Sequence, residues 1–532
     1  MTKKQAKNPF KKYSFEIISS ISRGEINSAR ELNAEKLSLA KKMRLHELPT
    51  NPDILALAKT KTTKLVSLLG VKPVRSLSGI SVVAVMSAPH KCPGKCIYCP
   101  SGLQESTPKS YTGFEPATMR ALNAKFDSFA QAHNRLQQLQ QTGHNTEKTE
   151  LIVMGGTFLS TPRAYQKKFM LGCLRAFCGK KAKTLATAKK LCEKARQRIT
   201  GITFETRPDF CGKREINSML DFGGTRVELG VQNIDDAIYK KINRGHTVDD
   251  VVNATALLKN SAFKIAYHFM PGLPCSSEEK DLKNFKRLFS DARFRPDMLK
   301  IYPCLVIRGT KLFDLWKKGD FEPLSTGRAA KLIARMKSFV PRYVRIMRVQ
   351  RDIPSTVVSA GVQYTNLRQL VAKEMKKMHL NCNCIRCREA ALQSHVSGKI
   401  PRLENATLIV EEYAASKGKE FFVSLEDKKA DLLFGYCRLR LPFAPFRKEL
   451  DAQTALVREL RVFSDVVGVG EKPLLAQLQH RGIGKTLLAE AEKIAREQLD
   501  ARKLSVLSGI GVKEYYRKLG FFDDSAFVSK KL

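Results

Sequence analysis

The chain has 532 residues and 43% hydrophobic content, enough for two to four domains with separate cores and too much for wholesale disorder. No run of about 18 apolar residues suits it to a membrane span, and the start M-T-K-K-Q-A-K-N-P-F-K-K lacks the apolar stretch of a secretory signal. The formal charge of +42 argues for a polyanionic partner, nucleic acid ahead of an anionic membrane, although a generally basic proteome would also raise it. The 13 cysteines are an odd number, and six fall in two tight clusters, a usage that suits metal binding in a reducing cytoplasm better than disulfides.

Residues 1–75 carry 16 Lys/Arg against 6 Asp/Glu. Phe15-Glu-Ile-Ile and Leu37-Ser-Leu-Ala have apolar residues at helical spacing, which predicts short amphipathic helices with basic outer faces. Lys41, Lys42, Arg44, Lys59, Lys61 and Lys64 are candidates for phosphate contacts; for any one of them a solvated helical face is the simpler account.

From residue 79 strands and helices alternate. Gly79–Met86 is β-branched and apolar, as a buried parallel strand should be, and it leads into His90-Lys-Cys-Pro-Gly-Lys-Cys-Ile-Tyr-Cys-Pro. Cys92, Cys96 and Cys99 stand there as C-x3-C-x2-C, with Tyr98 before the last. Three thiolates can hold three irons of a 4Fe–4S cluster and leave the fourth open to a substrate. A partial zinc knuckle is the alternative, weakened by the absence of a matching Cys/His pair nearby. Further strands are expected at Leu151–Met154, Gly201–Phe204, Arg226–Leu229, Phe263–Phe269, Met298–Tyr302 and Val344–Met347, with helices between them, including Glu115–Gln141 and Thr247–Lys259. Repeated βα units imply a parallel sheet, closed or partial barrel, with functional residues at the strands' C-terminal ends. Gly155, Gly156, Glu205, Glu228, Gln232, His268, Lys300 and Tyr302 occupy such positions. Residues 179–198 form a basic helical segment between two barrel units, either a surface insertion or part of a nucleic-acid path.

Cys382, Cys384 and Cys387 form a second cluster, C-x-C-x2-C, interleaved with Arg386 and Arg388. It reads as a small zinc site, with His379, His395 or water as fourth ligand; a second iron–sulfur cluster and a loop of reduced thiols are the alternatives. After a short linker, Leu408–Tyr413, Glu420–Leu425, Leu432–Leu441 and Ala455–Phe463 alternate apolar and polar residues like antiparallel strands. Gln479-His-Arg-Gly-Ile-Gly then opens a long amphipathic helix, presenting free backbone N–H groups to a phosphate.

The cysteine spacing resembles the signature of radical S-adenosylmethionine enzymes, and the C-terminal order resembles the GNAT acetyltransferase fold, whose Q/R-x-x-G-x-G/A turn holds the pyrophosphate of acetyl-CoA. Together with Ser110-Tyr-Thr-Gly-Phe-Glu-Pro, Gly155-Gly-Thr-Phe, Glu205-Thr-Arg-Pro-Asp, Asn243-Arg-Gly-His-Thr, Lys300-Ile-Tyr-Pro and Val457-Arg-Glu-Leu-Arg-Val, nearly the whole chain resembles the Elongator catalytic-subunit family, the tRNA carboxymethyluridine synthases. The expected architecture is α/β: a basic tRNA-binding region (1–75), a radical S-adenosylmethionine partial barrel (76–375), a zinc-binding linker (376–400) and an α+β GNAT domain (401–532).

The resemblance implies that a 5′-deoxyadenosyl radical takes hydrogen from the acetyl methyl of acetyl-CoA, and that the carbon radical adds to carbon 5 of the wobble uridine in a tRNA anticodon stem-loop. It assigns Cys92, Cys96 and Cys99 to the cluster, and strand-end residues Gly155, Gly156, Glu205, Glu228 and Gln232 to S-adenosylmethionine. Lys148 contacts acetyl-CoA from the barrel side, Glu459, Leu460, Arg461 and Val462 line the acetyl end, and Gln479, Gly482, Ile483 and Gly484 hold the pyrophosphate. Tyr515 lies near the thioester, unless it is simply a core aromatic. Elongator-type accessory subunits and a homodimer are the open partner assignments. Two rival readings remain at this level: a protein lysine acetyltransferase with a structural iron–sulfur domain, and a noncatalytic tRNA-binding scaffold.

Overall fold

The computed structural model describes residues 9–45, 47–58, 60, 62–70, 79–100, 107–179, 182–399, 401–463 and 482–532. Four short helices, Pro9–Arg23, Ala29–Lys42, Asn51–Ala56 and Thr63–Leu69, open the chain. Ser28, Thr50 and Thr62 cap the last three by accepting backbone N–H groups. Tyr13, Ile17, Ile21, Leu32, Ile54, Leu55, Leu65 and Leu69 meet in a core of their own, which leaves Lys41, Lys42 and Arg44 exposed, as the amphipathic pattern predicts. Lys59 and Lys61 lie outside the described residues.

Strands β1 (Ser81–Met86), β2 (Lys148–Met154), β3 (Arg198–Thr206), β4 (Arg226–Gln232), β5 (Lys264–Phe269) and β6 (Met298–Ile301) come next. Two-residue β7 (Val306–Ile307), β8 (Arg345–Arg348) and β9 (Val358–Ala360) follow. β1 to β6 and β8 pair side by side, all parallel, in sequence order, and β7 pairs with β9 apart from them. β1 and β8 do not pair, so the barrel is partial. The expected helix Glu115–Gln141 is two, Pro116–Asn123 and Ser128–Gln141. Lys125 and Phe126 take positive φ between them, and Asp127 caps the second by accepting from Ala130 N–H. Among its described residues the basic segment 179–198 is helical over Leu185–Glu193, and its last residue, Arg198, already begins β3.

The C-terminal sheet contains β10 (Thr407–Ala415), β11 (Gly418–Asp427), β12 (Leu432–Leu441), β13 (Thr454–Val462), β14 (Lys503–Val506), β15 (Phe522–Asp524) and β16 (Phe527–Lys531). Its order is β10-β11-β12-β13-β14-β16-β15, antiparallel except for β13 with β14. That parallel pairing ends at Val457 opposite Val506, while β13 runs on to Val462, so the sheet splits open there. A bulge at Arg458 puts two consecutive β13 residues, Arg458 and Glu459, on the face toward the barrel.

The two sheets meet over a buried charge network. Asp297, just before β6, accepts from Arg458 Nη1 at 2.8 Å and from the Ile265 backbone at 2.8 Å. Glu420 on β11 accepts from Arg440 Nη1 at 2.9 Å and Arg458 Nη2 at 2.9 Å, with Lys259 Nζ 3.3 Å away. Glu459 takes Arg438 Nε at 3.0 Å. Burial opposes the charge on Asp297 and Glu420, but Arg458 and then Lys259 more than offset it and hold both carboxyls below their ordinary range. Burial also pulls Lys259 down to about 8. Gly509 and Gly511 sit against the start of β3, where a side chain would collide with the Thr200 and Ile199 backbone. No helix among the described residues is long and apolar enough to cross a membrane.

Replacing Asp297 by Asn strands a buried guanidinium and should destabilise the fold by about 3–5 kcal/mol, read from the urea midpoint. Because the folded pKa values of Asp297 and Glu420 are depressed, their contribution is complete above pH ~4 and is lost as pH falls further. The acid-side slope of stability should therefore be shallower in the variant.

Candidate active site

β1 delivers its chain directly into the loop of Cys92, Cys96 and Cys99, and Ile97 N–H anchors that loop on Ile242 O at 3.0 Å. The three sulfurs do not form a group within 4.8 Å of one another, whereas those of Cys382, Cys384 and Cys387 do. The second spacing is one that could hold a single metal ion. Arg244 Nη1 donates to Cys96 Sγ at 3.3 Å, and the Ser110 hydroxyl lies 3.5 Å from Cys99 Sγ. Burial raises the Cys96 thiol, but the Arg244 charge and hydrogen bond, with Arg207 behind them, bring it below its usual value; burial pushes Cys99 up. At Gly94 any Cβ would collide with the Arg207 guanidinium, so the glycine lets an arginine approach the loop. Arg207, Arg244 and Arg351 surround these cysteines, and residue type alone gave no signal for them: each is a strand-end or loop arginine that only the fold brings to the sulfurs.

The loop closes one end of a cavity of about 560 Å³ that fills the barrel interior. Gly155, at φ +125, lies so close to Ser87 that a Cβ would collide with its hydroxyl, and Gly156 lines the cavity beside it. Glu205, Glu228 and Gln232 line the same cavity, as the sequence predicts. Their partners differ. Gln232, at φ +70, keeps its buried Oε1 without a hydrogen-bond partner among the described residues. Glu205 accepts from Tyr111 OH at 2.7 Å. Fully buried Glu228 is paired to Lys300 and is 3.0 Å from His268 Nε2. Burial would raise Glu228, yet Lys300, His268 and Arg226 hold it well below the carboxylate range, and the same pairing keeps Lys300 protonated.

The opposite end of the cavity is formed by strand starts, Arg226 and Arg345, and by Arg461 of β13. The cavity thus runs from the cysteine loop to the C-terminal domain. Gly482, at φ +85, caps the helix Ile483–Glu497, whose first N–H groups have no carbonyl one turn earlier. A Cβ on Gly484 would sit 3.0 Å from Tyr515 Oη, so the tyrosine hydroxyl hangs over that helix start, next to Val462 at the open end of β13. Leu460 and Val462 pack on the C-terminal core, while the Glu459 side chain is held by Arg438 and faces the barrel, leaving only its backbone toward the cleft. Gln479 lies outside the described residues. Lys148 begins β2, far from the cysteine loop; its register partner Arg198 packs against Gly511, four residues before Tyr515. Neither His379 nor His395 joins the group of Cys382, Cys384 and Cys387; Lys337 Nζ is 4.0 Å from Cys387 Sγ.

Family models match along the chain: an ELP3 N-terminal domain over residues 10–77, the Radical SAM superfamily over 86–286, a Radical_SAM C-terminal domain over 296–377 and the Acetyltransferase (GNAT) family over 401–521. The chain is 47% identical over 524 residues to a tRNA uridine(34) acetyltransferase of Methanocaldococcus jannaschii, covering 96% of each. It is 41% identical to Elongator complex protein 3 of Homo sapiens, covering 94% of this chain and 93% of that protein. Among solved structures, the archaeal Methanocaldococcus infernus Elp3 with an N-terminal deletion aligns with a TM-score of 0.76 at 45% identity, over 86% of this chain and all of that one.

The arginine beside Cys96 yields a direct test. After anaerobic loading with iron and sulfide, Arg244→Gln should shift the midpoint potential negative by on the order of tens of millivolts, because a positive charge and a hydrogen bond leave the sulfur. An electron-paramagnetic-resonance redox titration reads the shift.

Proposed function

The chain belongs to the family of tRNA uridine(34) acetyltransferases and Elongator complex protein 3, and from that premise we propose that it converts the wobble uridine of tRNA to 5-carboxymethyluridine, with acetyl-CoA as the carbon source. The observation that carries this reading is the single cavity shared by the cysteine loop and β13 of the GNAT domain, so that a radical made at one end and an acyl group brought to the other occupy one container.

Cys92, Cys96 and Cys99 would hold a 4Fe–4S cluster, which together with S-adenosylmethionine would supply a primary carbon radical. The chain's own residues do the rest. Gly155 and Gly156 let backbone approach the methionine moiety, and the unpartnered Gln232 Oε1 offers it or the nucleoside an acceptor. Glu228, neutralised by Lys300, keeps the cavity wall charged but paired, which lets it stay dry. Gly482, Ile483 and Gly484 present N–H groups to the CoA pyrophosphate, as a helix start does for any phosphate. Tyr515 reaches the thioester from above that helix. Lys148, at the domain boundary, assists from the barrel side. In the linker, Cys382, Cys384 and Cys387 would bind zinc with an outside fourth ligand such as water. None of the thirteen cysteines is in a disulfide, which suits a cytoplasmic enzyme.

The target base must leave its stack to enter the cavity, and an anticodon loop permits that. The excess of positive charge, and the exposed Lys41, Lys42 and Arg44 of the N-terminal helices, supply phosphate contacts.

Reduced enzyme incubated anaerobically with S-adenosylmethionine, acetyl-CoA and tRNA should release 5′-deoxyadenosine and form the modified nucleoside, and Cys96→Ala should abolish both. Lysine acetylation without 5′-deoxyadenosine would instead identify a protein acetyltransferase. Binding of tRNA should weaken by about 10³-fold or more between ~50 and ~200 mM salt if many phosphates are contacted; filter binding across that range reads the slope.

A further inference from the structure

The end of the cavity away from the cysteines is rich in positive charge. Four guanidinium groups line it: Arg226 and Arg345 at the starts of β4 and β8, Arg386 from the cysteine linker and Arg461 from β13. Three nearby carboxylates answer two of them, Glu150 and Glu228 with Arg226 at 2.8 Å and 3.4 Å and Glu389 with Arg345 at 2.7 Å. Arg386 and Arg461 have no ion-pair partner among the described residues. Arg345 and Arg461 each lie 5.4 Å from the centroid of the Phe463 ring, which gathers the two charges about one aromatic. Arg226 is 2% exposed and Arg345 6% exposed. Arg226 Nε, Arg345 Nη1 and Arg461 Nε are all buried without a hydrogen-bond acceptor among the described residues. Donors left open in this way, two of the four guanidinium groups having no acid beside them, are costly to bury unless an anion completes them.

Guanidinium forks match the plane and width of a carboxylate. Ile80, Met298 and Leu392 add apolar wall to the same cavity, room for a short hydrocarbon stem. Arg461 belongs to the strand whose open end forms the acyl side of the GNAT cleft, so the ligand comes from the acyl chemistry and not from bulk salt. We infer that the barrel floor is a carboxylate subsite, built by Arg345, Arg461, Arg226 and Arg386, for a carboxylate carried on a single apolar carbon. Two molecules have that chemistry: acetate, from simple hydrolysis of the thioester, and the carboxymethyl group of the modified base. The inference rests on the acetyl-CoA reading above, and it concerns equilibrium binding, which is measurable without any turnover.

The test uses the whole chain without S-adenosylmethionine or tRNA, at fixed ionic strength. One arm titrates ¹³C-labelled sodium acetate by NMR line broadening, and the other titrates 5-carboxymethyluridine nucleoside. Saturable binding is expected in at least one arm, with a dissociation constant on the order of 1 mM for so small a ligand as acetate. Arg345→Gln and Arg461→Gln should each weaken it about tenfold or more. The tighter arm names the source. Absence of saturable binding in both arms, or binding that survives both substitutions, overturns the subsite. If Arg345→Gln fails to fold because Glu389 loses its partner, Arg461→Gln, which has no ion pair to lose, decides alone. Formation of 5′-deoxyadenosine is scored separately, so a wrong reaction and a wrong subsite give different results.

Discussion

Asp297 and Glu420 hold the two halves of the enzyme in one piece. Four buried cations, Lys259, Arg438, Arg440 and Arg458, converge with Glu459 on these two carboxylates, and none of the seven side chains has meaningful exposure. A hydrophobic interface of similar area would be at least as stable and far less exacting. What the charges add is geometry: each guanidinium must meet its acid at one distance and angle, so the GNAT sheet is fixed against the barrel in one register. The barrel cavity has a floor only because that register is kept. Asp297 also takes the Ile265 N–H, which ties the network to the β5–β6 pairing that shapes the cavity wall.

The cavity depends on this docking in a second way. Its two ends differ in electrostatic character. Near the cysteines, arginines stand beside thiols, where positive charge favours thiolate and eases reduction. In the middle, Glu228 is paired to Lys300 and lies against His268, which leaves little unbalanced charge on the wall there. A closed barrel would have needed side chains to fill its interior. The open edge between β1 and β8 leaves room for ligands instead.

Much of this was legible in the sequence because it is local. The cysteine spacing, the strand–helix alternation, the amphipathic N-terminal helices and the glycine turn before Ile483 are each set by residues close together in the chain. The positions of Gly156, Glu205, Glu228 and Gln232 around one cavity also followed from the rule that strand ends share a face. What escaped depends on distant partners. Arg244 reaches Cys96 from 148 residues away, and the stretch Asn243-Arg-Gly-His-Thr does not by itself say which group the arginine meets. Glu459 looked like a lining residue of the acyl cleft, but Arg438 turns its side chain the other way. The break at Lys125 and Phe126 was hidden because both residues are tolerable helix formers, and only the cap at Asp127 starts the second helix.

The bulge at Arg458 shows how little sequence such an arrangement requires. Ahead of it, even-numbered Leu456 and Arg458 face the barrel while Ala455 and Val457 enter the GNAT core; beyond it the parity inverts, so that Glu459, Arg461 and Phe463 face the barrel while Leu460 and Val462 enter the core. One surplus residue therefore converts the phase of the strand in mid-course. Point changes on β13 alter one contact each, but a single-residue insertion or deletion beyond the bulge would exchange Arg461 with Val462, putting a guanidinium into an apolar core and a valine on the cavity floor. Length, more than composition, is what this strand must conserve as the chain diverges.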